Sequence, residues 1–429
     1  MKRPSGISRR GFLRAAAAGA GALAAGPWIV PARVLGADAP SRKIALAHIG
    51  VGGRGSSLLG GFLGLADCRV VAVADCFRSR REERAQQIDK HYGATGCKAY
   101  ADFRELCADP GIDAVVIATP DHWHVPLALE AVRQGKDVYV EKPLGISIRH
   151  NQALRDAVRR YGAVFQYGTQ QRAQAHMRWA CEMVLNGRLG KLQAVEVVAP
   201  AGAKGGSTEP APVPEGFDYE MYLGPAPEAP YTKARCTALG TYHIYDHALG
   251  FIAGWGAHPL DIAMWGLGDT ADAVPVEYEG TGVIPTEGLY DSITNWDIRG
   301  KFGNGAAFKF TDGGDLTTFV GEKGRIGTSR GGLREVEPAS LRDERLGPGE
   351  RRLIVSVDHG QNFLDGIKNR GGNTSPIDVA FLSDSISHLS DIAIRLGRKI
   401  RWDPKREEIG GDPSATRLLQ RPLRAPWRL

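Results

Sequence analysis

From residue 43 to about residue 168, short apolar runs alternate with longer segments of helical period. The runs 43–49, 69–74, 114–118 and 137–140 are rich in Val and Ala and hold no Gly or Pro. Between them, residues 79–92, 102–108 and 122–134 place apolar side chains three and four positions apart. A further helix and strand end near Gln166-Tyr167-Gly168. Strands that are apolar throughout, each followed by one helix, predict a parallel sheet covered on both faces: an α/β, doubly wound arrangement. The pattern then changes. Residues 191–198, 274–279, 292–299 and 306–311 read as strands of a second sheet, with Gly- and Pro-rich loops such as 202–214 between them. Residues 378–396 read as a long helix.

The loop after the first run is Gly50-Val51-Gly52-Gly53-Arg54-Gly55, a G-x-G-x-x-G that follows a strand and opens a helix. In that setting Gly50 permits the tight turn, Gly52 lets the backbone approach a pyrophosphate, and Gly55 lets helix and strand pack closely. The helix N-terminus offers free N–H groups to the phosphates. Asp75 stands at the end of the second strand, where a carboxylate accepts the ribose hydroxyls and repels a 2′-phosphate. NAD is therefore expected over NADP, with Arg78, Arg80 and Arg81 nearby as the counter-argument. Thr119-Pro120 and Glu141-Lys142-Pro143 lie at carboxyl ends of strands, where such sheets bind ligands. The cofactor is expected to meet Gly50, Gly52, Gly53, Arg54, Gly55, Asp75, Thr119, Pro120, His124, Glu141, Lys142 and Gln170.

Charge adds an address. Lys2, Arg3, Arg9, Arg10, Arg14 and Arg33 against Asp38 hold five of the six net positive charges within the first 39 residues. The remainder has 48 basic against 47 acidic residues, which argues against a nucleic-acid partner. Ser8-Arg9-Arg10-Gly11-Phe12-Leu13-Arg14 is a twin-arginine pattern, followed by a weakly apolar stretch over 15–29 and a small-x-small site at Ala37-Asp38-Ala39. Such signals serve folded passengers of the twin-arginine translocation machinery, so the expected location is the periplasm or beyond, with the cofactor held tightly and re-used. None of the six cysteines forms a C-x-x-C pair, which disfavours a zinc ribbon or thioredoxin-like site.

Taken with Glu141-Lys142-Pro143, the runs Thr119-Pro120-Asp121-His122-Trp123-His124, Gln166 to Arg172, Leu223-Gly224-Pro225-Ala226-Pro227, Gly256-Ala257-His258 and Trp402-Asp403-Pro404 carry a resemblance. The chain resembles the glucose–fructose oxidoreductase, inositol dehydrogenase and rhizopine-catabolism (Gfo/Idh/MocA) family, in an exported bacterial branch. The resemblance implies a Rossmann domain and a C-terminal α/β domain with a large, mostly antiparallel sheet that often mediates oligomer contacts, so a homo-oligomer is expected. The expected division is a signal segment over 1–39, a dinucleotide domain over 40–168, a substrate and oligomerisation domain over 169–375, and a returning helix and tail over 376–429.

The resemblance also implies catalysis by Lys142 and His258. Family members add an Asp four residues before the histidine; here that position is Gly254. Tyr242, His243, Tyr245, Asp246, His247 and Asp261 are candidate replacements, and Asp261, one helical turn from His258, can orient its imidazole. Substrate is expected against Lys142, Arg172, Tyr245, Asp246, His247, His258 and Asp261, with Trp255 and Trp265 as possible sugar faces beside their ordinary role in the core. His243, Asp246 and His247 can place two imidazoles on one face for a metal, but a sugar-binding rim is the preferred reading and no metal is expected. Three functions stay open. The first is an NAD-dependent oxidoreductase for a hydroxyl of a sugar, glycoside or cyclitol. The second is a redox-neutral NAD-dependent glycosidase working by oxidation, elimination, hydration and reduction. The third is a non-catalytic sugar-binding protein on the same fold.

If the N-terminal pattern is the export signal, replacing Arg9 and Arg10 by Lys should hold the protein in the cytoplasm. Cell fractionation checks this, and normal secretion of the double variant refutes it.

Overall fold

Six apolar runs assemble into a parallel sheet: β1 (Ile44–Ile49), β2 (Cys68–Ala74), β3 (Lys98–Tyr100), β4 (Ala114–Ile117), β5 (Asp137–Val140) and β6 (Phe165–Tyr167). The computed structural model describes residues 43–429, so the twin-arginine segment and its cleavage site lie outside the described residues. The strand order is β3-β2-β1-β4-β5-β6. Chain direction across the sheet therefore reverses between β1 and β4. Their carboxyl ends, the glycine loop and Thr119-Pro120, lie side by side at the switch point where such sheets open a crevice. All four residues of β4 and of β5 are buried, as a sheet packed on both faces requires.

A second sheet of nine strands follows: β7 (Leu192–Ala199), β8 (Glu277–Val283), β9 (Asn295–Lys301), β10 (Ala307–Asp312), β11 (Leu316–Gly321), β12 (Gly324–Ser329), β13 (Gly332–Glu337), β14 (Ile400–Asp403) and β15 (Glu408–Ile409). Its order is β13-β12-β11-β7-β10-β9-β8-β14-β15, with β7 and β10 parallel and the other described pairs antiparallel. Trp296 and Ile298 point into the core while Asn295 and Arg299 are exposed, the period-two alternation of a sheet with one covered face. Helices Ala175–Leu185, Ala257–Leu267 and Ile377–Leu396 pack about this sheet. Among the described residues no helix is long and apolar enough to cross a membrane.

The helix Ile377–Leu396 returns to the first sheet, and a buried carboxylate fixes it there. Asp384 accepts from Asn151 Nδ2 at 2.8 Å, Tyr167 Oη at 3.1 Å and the Leu144 amide at 3.2 Å. A second buried cluster ties the turn after β6, Gln170–Ala173, to the helix Ala257–Leu267. The fully buried Arg172 guanidinium donates to both Asp261 carboxylate oxygens (2.6 and 2.9 Å), to both of Asp269 (2.7 and 2.9 Å) and to the Thr374 carbonyl (3.1 Å). Arg172 is thus saturated by Asp261, Asp269 and Thr374, and Arg172 and Asp261 are closed to solvent. The expectation that they bind substrate is corrected: a buried guanidinium needs this many acceptors simply to remain folded in.

Breaking that cluster should cost stability. Asp261→Asn leaves a buried guanidinium short of charge, and urea unfolding should show a loss of about 3–5 kcal/mol. A loss below about 1 kcal/mol, the range of exposed pairs, would rule out the structural role.

Candidate active site

The glycine loop is built by close approach. Gly50 has φ +79°, and a Cβ there would stand 2.7 Å from the Ala118 carbonyl oxygen and 2.8 Å from Thr119 Cγ2. A Cβ on Gly55 would overlap the Gly50 carbonyl oxygen. The helix Gly53–Leu63 starts from Gly52 with no side-chain cap, so its first amides face the crevice without a partner from its cap residue. One Asp75 oxygen accepts the Val51 amide and the other the Phe77 amide, both at 2.9 Å. The carboxylate thereby pins the glycine loop to the end of β2 and keeps lone pairs for a ligand. Gly50, Gly52, Gly53, Asp75, Thr119 and Pro120 line one groove, and Thr119 Oγ1 is buried there without a partner. An uncapped helix terminus at one point and a carboxylate at another fit a dinucleotide's pyrophosphate and ribose.

One end of this groove is covered. The rings of Phe77 and Phe217 stack at 3.8 Å, and the Arg80 guanidinium lies 3.8 Å from the Phe77 ring centre. The Arg78 amide donates to Gly216 O (2.8 Å) and the Asp218 amide to Cys76 O (3.0 Å). Met221 and Tyr222 of this cover also line the groove.

The groove shares Arg54 and Tyr242 with a second cavity of about 450 Å³ that contains Lys142 and His258. Glu141, buried at the end of β5, accepts from Arg54 Nε at 2.7 Å and from the Lys142 amide at 3.2 Å. The Lys142 ammonium donates to the Gly254 carbonyl at 2.7 Å and lies 5.2 Å from the centre of the Tyr242 ring. Position 254, where the resemblance puts a carboxylate, thus holds the lysine by its backbone instead. A Cβ there would stand 3.1 Å from Tyr242 Cδ1, so the Tyr242 ring occupies the side a carboxylate would take. His258 is in the first turn of Ala257–Leu267, 4% exposed. Burial, then the charges of Lys142, Arg330 and Arg54, hold its pKa well below the ordinary 6.5. The imidazole is therefore neutral at neutral pH.

Gln170 also lines this cavity, facing Arg54 and Glu141, and Trp255 forms part of its wall. His124 does not face the groove. It is buried, with Nδ1 2.6 Å from Pro143 O and Nε2 3.0 Å from Thr119 O, bracing the two strand-end loops from behind. The rim expected from Tyr245, Asp246 and His247 is also corrected. None of the three lines the cavity. Tyr245 is sandwiched between the guanidinium groups of Arg395 (3.4 Å) and Arg421 (3.9 Å), and Asp246 faces Arg421. His247 is fully buried, its ring stacked on that of His122 with centres 4.7 Å apart. His243 sits apart from it, beside Phe251 and Tyr290. Asp261 orients no imidazole, since Arg172 takes both its oxygens. Trp265 packs under Arg172 in the core. Arg330, Gln171, Gln174 and Phe251 complete the cavity and were not legible in the sequence. Gln171 lies inside the run Gln166 to Arg172 but its place on the cavity was not read from it, no motif surrounds the other three, and Arg330 arrives from the turn between β12 and β13.

Residues 44–169 match the oxidoreductase family described by its NAD-binding Rossmann fold, and residues 200–321 with 353–429 match the same family's C-terminal alpha/beta domain. The fold and site define an oxidoreductase-family protein of two α/β parts. The chain belongs to the Gfo/Idh/MocA family. It is 32% identical over 124 residues to scyllo-inositol 2-dehydrogenase (NAD(+)) of Bacillus subtilis, covering 29% of this chain and 34% of that one. It is 34% identical over 163 residues to a glycosyl hydrolase family 109 protein of Shewanella amazonensis, covering 34% and 35%. These matched segments span about a third of those relatives' length. The structure of the WlbA dehydrogenase from Bordetella pertussis, in complex with NADH and UDP-GlcNAcA, shares the fold with TM-score 0.63 at 16% identity, over 84% of this chain and 99% of that one.

Asp75 should select the cofactor. Calorimetry should show NAD binding tighter than NADP by tenfold or more, the order expected of a charged hydrogen bond. Equal or tighter binding of NADP would overturn this.

Proposed function

We propose that the protein is an NAD-dependent oxidoreductase that acts on a hydroxyl of a sugar, glycoside or cyclitol. The observation that carries this is the placement of Lys142 and a neutral His258 on one cavity that opens into the dinucleotide groove. The relatives named as inositol dehydrogenases support the substrate class. A bound nicotinamide supplies hydride acceptance. His258, neutral and buried, takes the hydroxyl proton of the substrate. Lys142 uses one of its three donors on Gly254 O and keeps the others to orient that hydroxyl. Gln170, Gln171 and Gln174 offer donors and acceptors to the remaining hydroxyls.

The protein acts after export by the twin-arginine route, with the cofactor loaded beforehand. Phe77, Met221 and Tyr222 in the groove wall, with Phe217 stacked on Phe77, support slow cofactor loss. The same cover favours a second reading, the redox-neutral glycosidase, in which the cofactor never needs to leave. Product analysis separates the two: a ketosugar with net cofactor reduction marks the dehydrogenase, and released aglycone without it marks the glycosidase.

Lys142→Met and His258→Ala should each lower kcat by roughly 10²–10⁴, the range for a positioned acid–base group. NAD binding by the His258 variant should persist. Because protonation disables His258, kcat/KM should fall as the pH drops through its folded pKa, and that limb should lie well below pH 6.5. Wild-type turnover by both variants would place the chemistry elsewhere.

A further inference from the structure

The ionisable lining of the Lys142–His258 cavity is almost wholly cationic: Arg54, Lys142 and Arg330 line it, and among the described residues no carboxylate does. Arg54 is paired with Glu141 behind the wall. Lys142 has only a neutral carbonyl as its hydrogen-bond acceptor. Arg330 makes no ion pair among the described residues. Its guanidinium lies over the Trp255 ring at 4.6 Å, which fixes the plane and leaves its N–H edges to a ligand. Asp315, in the turn between β10 and β11, accepts the Arg330 backbone amide at 3.4 Å and holds the turn, not the side chain. Two cations without an ion-pair partner among the described residues therefore border a cavity whose wall also carries a buried neutral imidazole, the buried Asp121 carboxyl acting on Lys142 only through space. The carboxylate that would balance them is the one absent at Gly254.

We propose that the substrate itself brings the missing negative charge: a sugar or cyclitol bearing an anionic substituent, held by the Arg330 guanidinium with Lys142 alongside. The inference rests on the reading that this cavity binds substrate, and deepens it to a substrate class. A carboxylate or a phosphate presents the same paired oxygens to a guanidinium. The depressed pKa of His258 agrees with the same charge balance, since Lys142 and Arg330 both contribute to it. An anion bound at Arg330 offsets part of that field, so it also makes His258 a stronger base in the occupied site.

The test uses the NAD-loaded protein and matched sets of neutral hexose, hexuronate and hexose phosphate in the gluco, galacto and manno configurations. Calorimetric binding and kcat/KM are both measured, for the wild type and for Arg330→Gln and Arg330→Lys. An acid of at least one set should be preferred over its neutral parent by about tenfold to a hundredfold, the range of a charged hydrogen bond. Which acid wins identifies carboxylate or phosphate. The preference should collapse in Arg330→Gln, return in part in Arg330→Lys, and shrink with added salt. Acid binding without turnover would support the charge assignment and refute the oxidoreductase reading. Neutral sugars binding as well as both acids, or an unchanged preference in Arg330→Gln, would overturn the proposal.

Discussion

The buried Arg172 guanidinium is the constraint on which the site depends. It cannot shed its proton, and it is closed to bulk solvent. It stays folded in because Asp261 and Asp269 meet it from the second part of the chain. That requirement fixes the helix Ala257–Leu267 against the turn that leaves β6, next to Glu141 and Lys142. His258 is one helical turn from Asp261 and inherits its position. Asp384 does the same work for the returning helix, drawing Asn151, Tyr167 and the Leu144 amide to one carboxylate. Both clusters are poor sources of stability relative to an apolar core, but they tolerate few alternative arrangements.

Within that frame the chemistry follows from a redistribution of charge. Where the resemblance puts a carboxylate at 254, the Gly254 carbonyl is the acceptor for Lys142 and adds no charge. The Tyr242 ring fills the vacated side and adds a weak cation–π contact at 5.2 Å. Burial first, and then this positive local field, keep the imidazole of His258 neutral. A neutral imidazole is the form that can accept a proton, so glycine at 254 is compatible with the proposed role of His258 as a base.

The cover over the dinucleotide groove links the two parts of the protein from another side. Phe77 is in the first part and Phe217 in the second, and their stack closes over residues that Asp75 organises. Backbone bonds from Arg78 to Gly216 and from Asp218 to Cys76 flank the stack.

What the sequence determined by itself is local. The β-α alternation, the glycine loop, Asp75 at the end of β2 and Lys142 at the end of β5 each depend on neighbours a few positions away, and each was readable from spacing. His258 was readable only through resemblance. Tertiary structure decided the partners of the charged residues. Asp261 is 89 positions from Arg172 and one turn from His258, so spacing favoured the histidine and the fold chose the arginine. Tyr245 and His247 carry the right chemistry for a sugar rim, yet packing sends one between two arginines and the other into a histidine stack. Arg330 has no sequence signal because a turn at the far end of the second sheet brings it to the cavity. Backbone preference and hydrophobic period act over a few residues and leave a trace in the sequence. The pairing of buried charges is settled by which groups share a low-dielectric interior, and only the folded chain defines that interior.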